Sequence, residues 1–303
     1  MEDASAGAGH PEGQDARTAT APTKGRGAAS RVAGRFEKTL VRGEDDGWGS
    51  VYADAFDPDG EPLAPPRTRV TEERARSIIS RNQSPDIGFS QSINPYRGCE
   101  HGCVYCFARP SHAYLDLSPG LDFETRLYAK TNAAERLRHE LARPGYVPSP
   151  IALGINTDAY QPIERRLRIT RQVLEVLAET KHPVHFVTTG GLIERDLDLL
   201  APMARDGLVR VHFSITTLDN RLAAAMEPRA TAPHGKLRAM RALAEAGVPV
   251  GVMVAPVVPM VSDHELEHIL EAARDHGACE AGYVLLRLPH ELKSIWREWL
   301  QLH

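Results

Sequence analysis

The sequence predicts an α/β protein made of six consecutive βα units. From Thr71 onward, short apolar runs alternate with longer amphipathic stretches, mostly at a spacing of about thirty residues. The chain has 303 residues, of which 42% are hydrophobic, so it is long enough to bury the core of one large domain or two smaller ones. This alternation favours a parallel sheet with right-handed crossovers, either barrel-like or doubly wound, whose ligand site lies at the C-terminal ends of the strands.

The six predicted strands are short apolar runs, each bounded by Pro, Gly or polar residues. Runs of this kind are typical of strands that are buried on both faces of a parallel sheet. In chain order they are Phe89–Asn94, Ile151–Ile155, Val184–Thr188, Val209–Ile215, Val250–Ala255 and Gly282–Arg287.

The six predicted helices lie between and after these strands. The second shows the helical period plainly, because Ile163, Leu167, Leu174 and Leu177 fall on one side of it. Pro162 stands at its start, where a missing N–H leaves no helical hydrogen bond unmade. The predicted helices are Phe123–Ala142, Ile163–Thr180, Ile193–Arg205, His234–Ala246, Asp263–His276 and Glu291 to the end of the chain.

The N-terminal residues 1–65 differ in composition from the rest of the chain. They are rich in Ala, Gly, Pro, Asp and Arg and have few large apolar side chains, so they cannot bury enough surface to offset the entropy of ordering. We therefore predict a largely disordered extension over 1–65 and a folded domain over 66–303. Within the extension, Gly25–Glu37 is the stretch that can dock on the domain, through Arg35 and Phe36.

Charge and hydropathy exclude several classes of protein. The formal net charge of −4 gives no global basic field, so non-specific binding to nucleic acid is not expected of the chain as a whole. No run of eighteen apolar residues exists, and the N-terminus lacks the charged start and apolar stretch of a secretory signal. The expected location is the cytoplasm, with no membrane partner.

The chain has four cysteines, and three of them, Cys99, Cys103 and Cys106, fall within eight residues. Such clustering argues against a disulfide framework, whose cysteines are dispersed through a small secreted fold, and it favours a metal site. Cys279 stands alone before the sixth strand and is expected to be an ordinary buried thiol.

The cysteine-rich segment 94–107 follows the first predicted strand, so it lies at the rim where a site is expected. Its spacing is C-x3-C-x2-C, and Gly98 and Gly102 give the backbone freedom to curl so that three sulfurs converge. Three thiolates bind three irons of a cluster and leave a fourth iron open. The alternatives are three core thiols, or a zinc site completed by His101 or His112.

This segment resembles the signature of the radical S-adenosylmethionine (radical SAM) superfamily, C-x3-C-x-aromatic-C, with Tyr105 as the aromatic residue. The continuation Cys106–Leu115 and later stretches resemble the spore photoproduct lyase-like, or DNA repair photolyase-like, subgroup, from about Thr71 to Leu288. The resemblance implies a partial (β/α)6 TIM-like barrel. It also implies a [4Fe–4S] cluster on Cys99, Cys103 and Cys106.

The resemblance further implies that SAM binds the open iron and is cleaved to a 5′-deoxyadenosyl radical, which removes hydrogen from a substrate. The residues that match the family's cofactor site are Tyr105, Thr157, Asp158, Ser214 and Ala255. Tyr105 would approach the adenine through its backbone, Thr157 and Asp158 would face the methionyl part, Ser214 the ribose, and Ala255 the adenine. Without the resemblance, each is only a polar cap or turn residue.

Two departures from spore photoproduct lyases bear on the substrate. Ile155 and Asn156 stand where those enzymes have a hydrogen-donating cysteine, and the stretch 188–191 stands where they have a lysine. The expected function is therefore a lyase-like radical SAM enzyme with an unidentified substrate, nucleic acid being one candidate class. Its expected reductant is a flavodoxin- or ferredoxin-type donor. Relatives continue beyond the last helix, so the domain is expected to be truncated.

Two other functions stay open at this point. One is a non-catalytic iron–sulfur or zinc protein that acts as a redox sensor or a binding module. The other is a nucleic-acid-binding protein without chemistry, whose affinity would fall steeply with salt.

Overall fold

The computed structural model describes residues 22–36, 67–85 and 87–303 of the chain. Its strands form a main sheet of seven strands and a small sheet of three. In chain order the strands are β1 (Arg69–Glu73), β2 (Ile79–Arg81), β3 (Gln91–Ile93), β4 (Tyr96–Arg97), β5 (Arg126–Lys130), β6 (Ile151–Leu153), β7 (Val184–Thr188), β8 (Val209–Ser214), β9 (Val250–Val257) and β10 (Glu280–Leu285).

Nine α-helices and three short 3₁₀-helices connect and flank the strands of the described chain. The 3₁₀-helices span Arg109–Leu115, Gly191–Asp196 and Asp263–Glu265. The α-helices are α1 (Leu121–Thr125), α2 (Ala133–Leu141), α3 (Glu164–Leu167), α4 (Ile169–Glu179), α5 (Leu197–Arg205), α6 (Asn220–Met226), α7 (Pro233–Glu245), α8 (Leu266–Asp275) and α9 (Leu292–Leu302).

The main sheet settles the choice between the two architectures. Its strand order is β10-β9-β8-β7-β6-β3-β2. Six of these strands pair in parallel, in the order in which they occur in the chain: β3, β6, β7, β8, β9 and β10. A doubly wound sheet would reverse direction at a switch point, and this sheet does not. The partial (β/α)6 barrel is therefore confirmed, with β2 added antiparallel at one edge.

Alternation along the strands separates the core from a concave face. Phe186 on β7 and Val211 on β8 are fully buried and pack in one apolar cluster with Leu174 and Leu200 from the helices. The intervening side chains point the other way, and they are polar or only half-buried. On β7 and β8 this concave face carries His185, Val187, Arg210, His212 and Ser214.

Two predicted helices are interrupted. Ile163–Thr180 breaks at Arg168, whose φ is +54°, into α3 and α4, and a second helix is wrong in its middle. The stretch Phe123–Ala142 divides into α1, strand β5 and α2. In β5, Leu127 and Ala129 are fully buried, whereas Arg126 is exposed and Tyr128 is half-buried, which is the period of a strand. β5 pairs with β1 and β4 in the small sheet, and this pairing overrides the helical pattern of the flanking residues.

Residues 22–36, which we call the N-terminal strap, lie against the domain. The Arg26 guanidinium donates to the Glu124 carbonyl at 2.9 Å, and Ser30 donates to Glu298 at 2.9 Å. The docking expected of Arg35 and Phe36 is present, because Arg35 pairs with a glutamate of the segment before α9 and Phe36 packs on a tyrosine ring. The predicted disordered extension therefore does not include 22–36, and its remainder lies outside the described residues.

Two further expectations can be compared with the structure. Within the described chain, no helix is long and apolar enough to cross a membrane. Cys279 is exposed rather than buried, although its Sγ donates to the Val250 carbonyl at 3.2 Å, so the prediction of a buried thiol was wrong. It stands in the loop just before β10, which among the described strands pairs with β9 alone, so the outer side of this edge is open.

Candidate functional site

The cysteine loop, residues 98–107, begins directly after β4, beside the C-terminal ends of the parallel strands. Gly98 and Gly102 have φ angles of +75° and +73°, a conformation that favours glycine, and they curl the loop as its sequence predicts. A Cβ at Gly98 would lie 2.7 Å from the Phe123 carbonyl oxygen, so no larger residue fits there. The three cysteines of the loop form no disulfide.

Backbone hydrogen bonds fix the loop from several elements. The Cys99 N–H donates to the Phe123 carbonyl at 2.9 Å, and the Val104 N–H donates to the Met226 carbonyl at 2.9 Å. From the opposite side, the Arg229 N–H donates to the carbonyl of His101 at 3.1 Å. A loop anchored to α1, α6 and the segment after α6 presents its sulfurs in a fixed arrangement.

Arg109 and Glu124 form an ion pair beneath the loop, and both side chains are completely buried. The Arg109 guanidinium also donates to the carbonyls of Gly102 at 3.0 Å and Cys103 at 2.9 Å. Sequence reasoning missed this pair, because a charged residue three positions after the last cysteine has no periodicity that indicates burial. The only signal was the place of Arg109 in Cys106–Leu115, the stretch that resembles the spore photoproduct lyase-like subgroup.

The three sulfurs can bind as thiolates only around a cationic group, because without one their surroundings favour neutral thiols. Burial raises the pKa of Cys103 well above its ordinary value, and the negative charges of Glu227 and the neighbouring cysteines raise it further. Burial and the charge of Cys99 raise the pKa of Cys106 to about 11, against a lowering effect of Arg109. Three thiolates are therefore stable together only when a cation lies among them.

The single-ion alternative fits less well. Among the described residues, no group of three His, Cys, Asp or Glu side chains has the geometry to hold one metal ion. His112 Nε2 lies 2.9 Å from the Arg126 carbonyl while its Nδ1 has no hydrogen-bond partner in the described part of the chain, and His101 Nδ1 lies 3.4 Å from Asp158. A four-iron cluster spaces its thiolates over the corners of a cube, farther apart than the ligands of one zinc ion.

Thr157 and Gln161 connect the loop after β6 to the cysteine loop. Thr157 Oγ1 donates to the Gly98 carbonyl at 2.7 Å, and Gln161 Nε2 donates to the same carbonyl at 3.1 Å. Gln161 Oε1 in turn accepts from the Glu100 N–H at 2.9 Å. The structure thus brings Thr157 to the cysteine loop, and it adds Gln161, a fully buried residue that its sequence position does not mark.

Asp158 lies between the cysteine loop and the end of β7. It accepts hydrogen bonds from the Thr188 hydroxyl at 2.8 Å and the Thr189 N–H at 2.7 Å. Its Oδ2 also lies 3.4 Å from Nδ1 of the buried His101. Burial raises the pKa of Asp158, but His101 and the hydrogen bonds outweigh burial and hold the pKa below its usual value.

Glu227 is the centre of a second buried network. Its carboxylate accepts from Tyr105 Oη, Thr216 Oγ1, Thr189 Oγ1 and Lys236 Nζ. Burial raises the pKa of Glu227, but Lys236 and the hydroxyl donors together lower it below its usual value. Tyr105 therefore has its ring end held by a charged group at the ends of β7 and β8.

Lys236 reaches this network from α7. Its Nζ donates to the Ser214 carbonyl at 3.0 Å as well as to Glu227. Spore photoproduct lyases have a lysine at the end of the third strand, and this chain has none in the corresponding stretch 188–191. A lysine nevertheless reaches the same end of the sheet from a helix, which no sequence spacing could reveal.

Ser214 and Ala255 end neighbouring strands and contact each other. Ser214 Oγ donates to the Ala255 carbonyl at 3.1 Å, across the β8–β9 pair. Both residues are half-buried on the side of the sheet that faces away from the helices. Of the five predicted cofactor residues, Tyr105 lies in the cysteine loop, Thr157 and Asp158 contact that loop, and Ser214 and Ala255 lie together on β8 and β9.

The concave face below this end carries a charged group. His212 Nε2 lies 3.1 Å from Glu280 Oε1, and Arg210 lies 3.2 Å from the other oxygen of that carboxylate. Gly251 stands between them, and a Cβ there would lie 2.7 Å from both His212 and Glu280. The absence of a side chain at Gly251 is what lets a residue of β8 pair with one of β10.

A family model, the radical SAM superfamily, matches residues 93–273 of the chain. An uncharacterized protein of Mycobacterium tuberculosis is 39% identical over 216 residues, which are 71% of this chain and 64% of that protein. An uncharacterized protein of Methanocaldococcus jannaschii is 23% identical over 199 residues, 66% of this chain and 71% of that protein. The chain thus spans slightly less than two thirds of the length of its mycobacterial relative.

Solved structures of spore photoproduct lyase share the fold. A variant of that enzyme with a cysteine replaced by serine has a TM-score of 0.59 at 15% identity, covering 88% of this chain and 73% of that one. A second variant, with bound AdoMet and dinucleoside spore photoproduct, has a TM-score of 0.59 at 16% identity, covering 86% of this chain and 72% of that one. At these identities the likeness shows a common fold.

Proposed function

Because the chain belongs to the radical SAM superfamily, we propose that it is an enzyme that holds a [4Fe–4S] cluster on Cys99, Cys103 and Cys106 and cleaves SAM reductively. The observation that carries this proposal is the curled cysteine loop, fixed beside the C-terminal ends of six parallel strands. When bound, the cluster supplies the electron that cleaves SAM to methionine and a 5′-deoxyadenosyl radical, which then takes hydrogen from the substrate.

The protein's own residues would position SAM. Tyr105, held through its hydroxyl by Glu227, keeps its backbone fixed beside the cysteines. Ser214 and Ala255 offer a hydroxyl and an adjacent backbone turn at the ends of β8 and β9. The side-chain oxygens of Thr157 and Asp158 are hydrogen-bonded to neighbouring loops. These bonds hold the segment that contains both residues in place, and this fixed segment would contact SAM.

The substrate is proposed only by class. The fold shared with spore photoproduct lyase supports nucleic acid as a substrate class, since three of those solved structures hold a dinucleoside photoproduct. No thiol projects from Ile155 or Asn156, and Asn156 is anchored through its N–H to Asn94 at 2.7 Å. We therefore expect that hydrogen is not returned to the product by a cysteine at this place. Flavodoxin- or ferredoxin-type reductants remain the proposed electron source.

The test is anaerobic reconstitution with iron and sulfide, followed by SAM and dithionite. The expected result is iron and sulfide near four atoms each per chain and release of 5′-deoxyadenosine. Cys103→Ala, which removes a proposed ligand, should lose this activity. The matched control is Cys279→Ala, which removes a thiol that is not a proposed ligand. A loaded cluster whose spectrum does not change with SAM, and which forms no 5′-deoxyadenosine, would support the redox sensor or binding module instead.

A further inference from the structure

Glu124 joins three parts of the molecule at one buried carboxylate. It pairs with Arg109, which lies under the cysteine loop. The same carboxylate accepts the backbone N–H groups of Gly27 at 3.0 Å and Ala28 at 2.9 Å, both in the N-terminal strap. A buried charge is retained only where its hydrogen-bonding capacity is filled, and here the strap fills it.

We propose that the Arg109–Glu124 pair is the positioning element of the iron–sulfur site and that it makes the N-terminal strap a component of that site. The proposal rests on the proposed function, since it concerns how the cluster on the three cysteines is held. It assigns a role to two residues outside the cysteine motif and to a segment that precedes the barrel in sequence. Neither residue is a ligand; both act through the loop they support.

Shape complementarity is the first argument. Gly27 packs so closely on the cysteine loop that a Cβ there would lie 1.7 Å from the Gly102 carbonyl oxygen. Gly102 in turn leaves room for Glu124, because a Cβ at Gly102 would lie 2.8 Å from its Oε2. Ala28 is buried in one apolar cluster with Val104 of the loop. Strap, carboxylate and cysteine loop thus fit together without space for larger residues.

The second argument is that all three guanidinium nitrogens of Arg109 donate to backbone carbonyls. Arg109 donates to Gly102 and Cys103 in the loop, and to Pro119 and Gly120 on the far side, at 2.9 to 3.2 Å. One guanidinium therefore fixes the loop at its second cysteine relative to the start of α1. Lysine could not replace it, because only the planar fork of five donors reaches these acceptors together.

Charge is the third argument. Reduction adds one electron to a cluster that three thiolates already make anionic, so a cation held against the loop favours the reduced form and an anion there opposes it. Arg109→Gln should therefore make the reduction potential more negative, and Glu124→Gln should make it more positive. If the pair only stabilised the fold, the two variants would not be expected to shift the reduction potential in opposite directions.

The experiment compares Arg109→Gln, Glu124→Gln, the double variant and Gly27→Ala with the full-length wild type. The exposed Arg138–Glu179 pair provides the matched control, as Arg138→Gln and Glu179→Gln. Each protein is reconstituted anaerobically, its iron and sulfide are counted, iron loss to a chelator is timed, and the potential is measured by spectroscopic titration. Circular dichroism of the apo forms identifies any variant that does not fold.

We expect both buried single variants to lose iron on the order of a hundredfold faster than wild type, because each leaves a buried charge unpaired. Gly27→Ala should also speed iron loss while retaining the fold. The proposal is overturned if the two single variants shift the potential in the same direction or not at all, or if Gly27→Ala keeps iron like wild type. If the wild type itself takes up no cluster, it is the proposed function that fails.

Discussion

Lys236 and Glu227 form an ion pair in which both side chains are almost completely excluded from solvent. The pair lies at the C-terminal ends of β7 and β8 and holds the ring of Tyr105 beside the cysteine loop. It is therefore the point at which the sheet and the cysteine loop are coupled.

The first prediction concerns this pair. Lys236→Met should lower the free energy of unfolding by about 3–5 kcal/mol, because it leaves the Glu227 carboxylate buried without its cation. The measurement is urea unfolding of the apo protein followed by circular dichroism. Arg210→Gln is the control, since it breaks an exposed pair with Glu280 that should contribute about 1 kcal/mol or less. Equal losses in the two variants would show that the buried pair has no special role.

The second prediction concerns acid. The pKa values of Asp158 and Glu227 are lowered on folding, so their contribution to stability is full above their ordinary values of 3.8 and 4.5 and is lost as the pH falls through the lowered values. The unfolding free energy should thus decrease in acid below about pH 4.5. Glu227→Gln should show a shallower decrease in the same titration. If the unfolding free energy of Glu227→Gln fell with pH as steeply as that of the wild type, Glu227 would not be the source of the acid sensitivity.

The third prediction concerns the curl of the cysteine loop. Gly98 and Gly145 both have positive φ angles, but a Cβ meets neighbouring atoms only at Gly98. Gly145→Ala should therefore lower stability by about 1–2 kcal/mol, the cost of the left-handed backbone alone. Gly98→Ala adds a steric clash and should lower it further, which thermal unfolding of the two variants will compare. It should also retain less iron after reconstitution.

The fourth prediction concerns the concave face. Gly251→Ala places a methyl group between His212 and Glu280 and should separate them. We expect a loss of about 1–3 kcal/mol from overpacking, read from urea unfolding. Uncoupled formation of 5′-deoxyadenosine should be little changed, because Gly251 lies away from the cysteines. A variant that lost cluster instead would show that the concave face and the cysteine loop are not independent.

The sequence predicted the repeating part of the fold well. Val184–Thr188 was predicted as a strand with the bounds of β7, because five residues buried in a parallel sheet have a simple apolar pattern. The stretch containing β5 was not recognised, since Leu127 and Ala129 give only two buried positions at the strand period, too few to stand out between two helical stretches. Its partner strands β1 and β4 lie far from it in the sequence, and only this tertiary pairing distinguishes a strand from a helix here.

The site was predictable where a local motif carries the chemistry. The spacing of Cys99, Cys103 and Cys106 was enough to locate the candidate site, and the positive φ angles of Gly98 and Gly102 confirm the predicted curl of the loop. Arg109, Glu124 and Lys236 could not be assigned, because each is a charged residue whose burial depends on a partner elsewhere in the chain. A charged residue in a sequence is normally expected at the surface, so the pattern that identifies a core gives no signal for such pairs.

The strand order leaves the wall of the barrel incomplete. Within the described chain, β2 and β10 end the sheet without pairing to each other, and along β10 Tyr283 and Leu285 are more than half exposed. A closed cylinder admits only what passes through its mouth. If the proposed function is correct, a curved wall with one missing side would let a reactive group enter sideways while the bulk of the molecule that bears it stays outside.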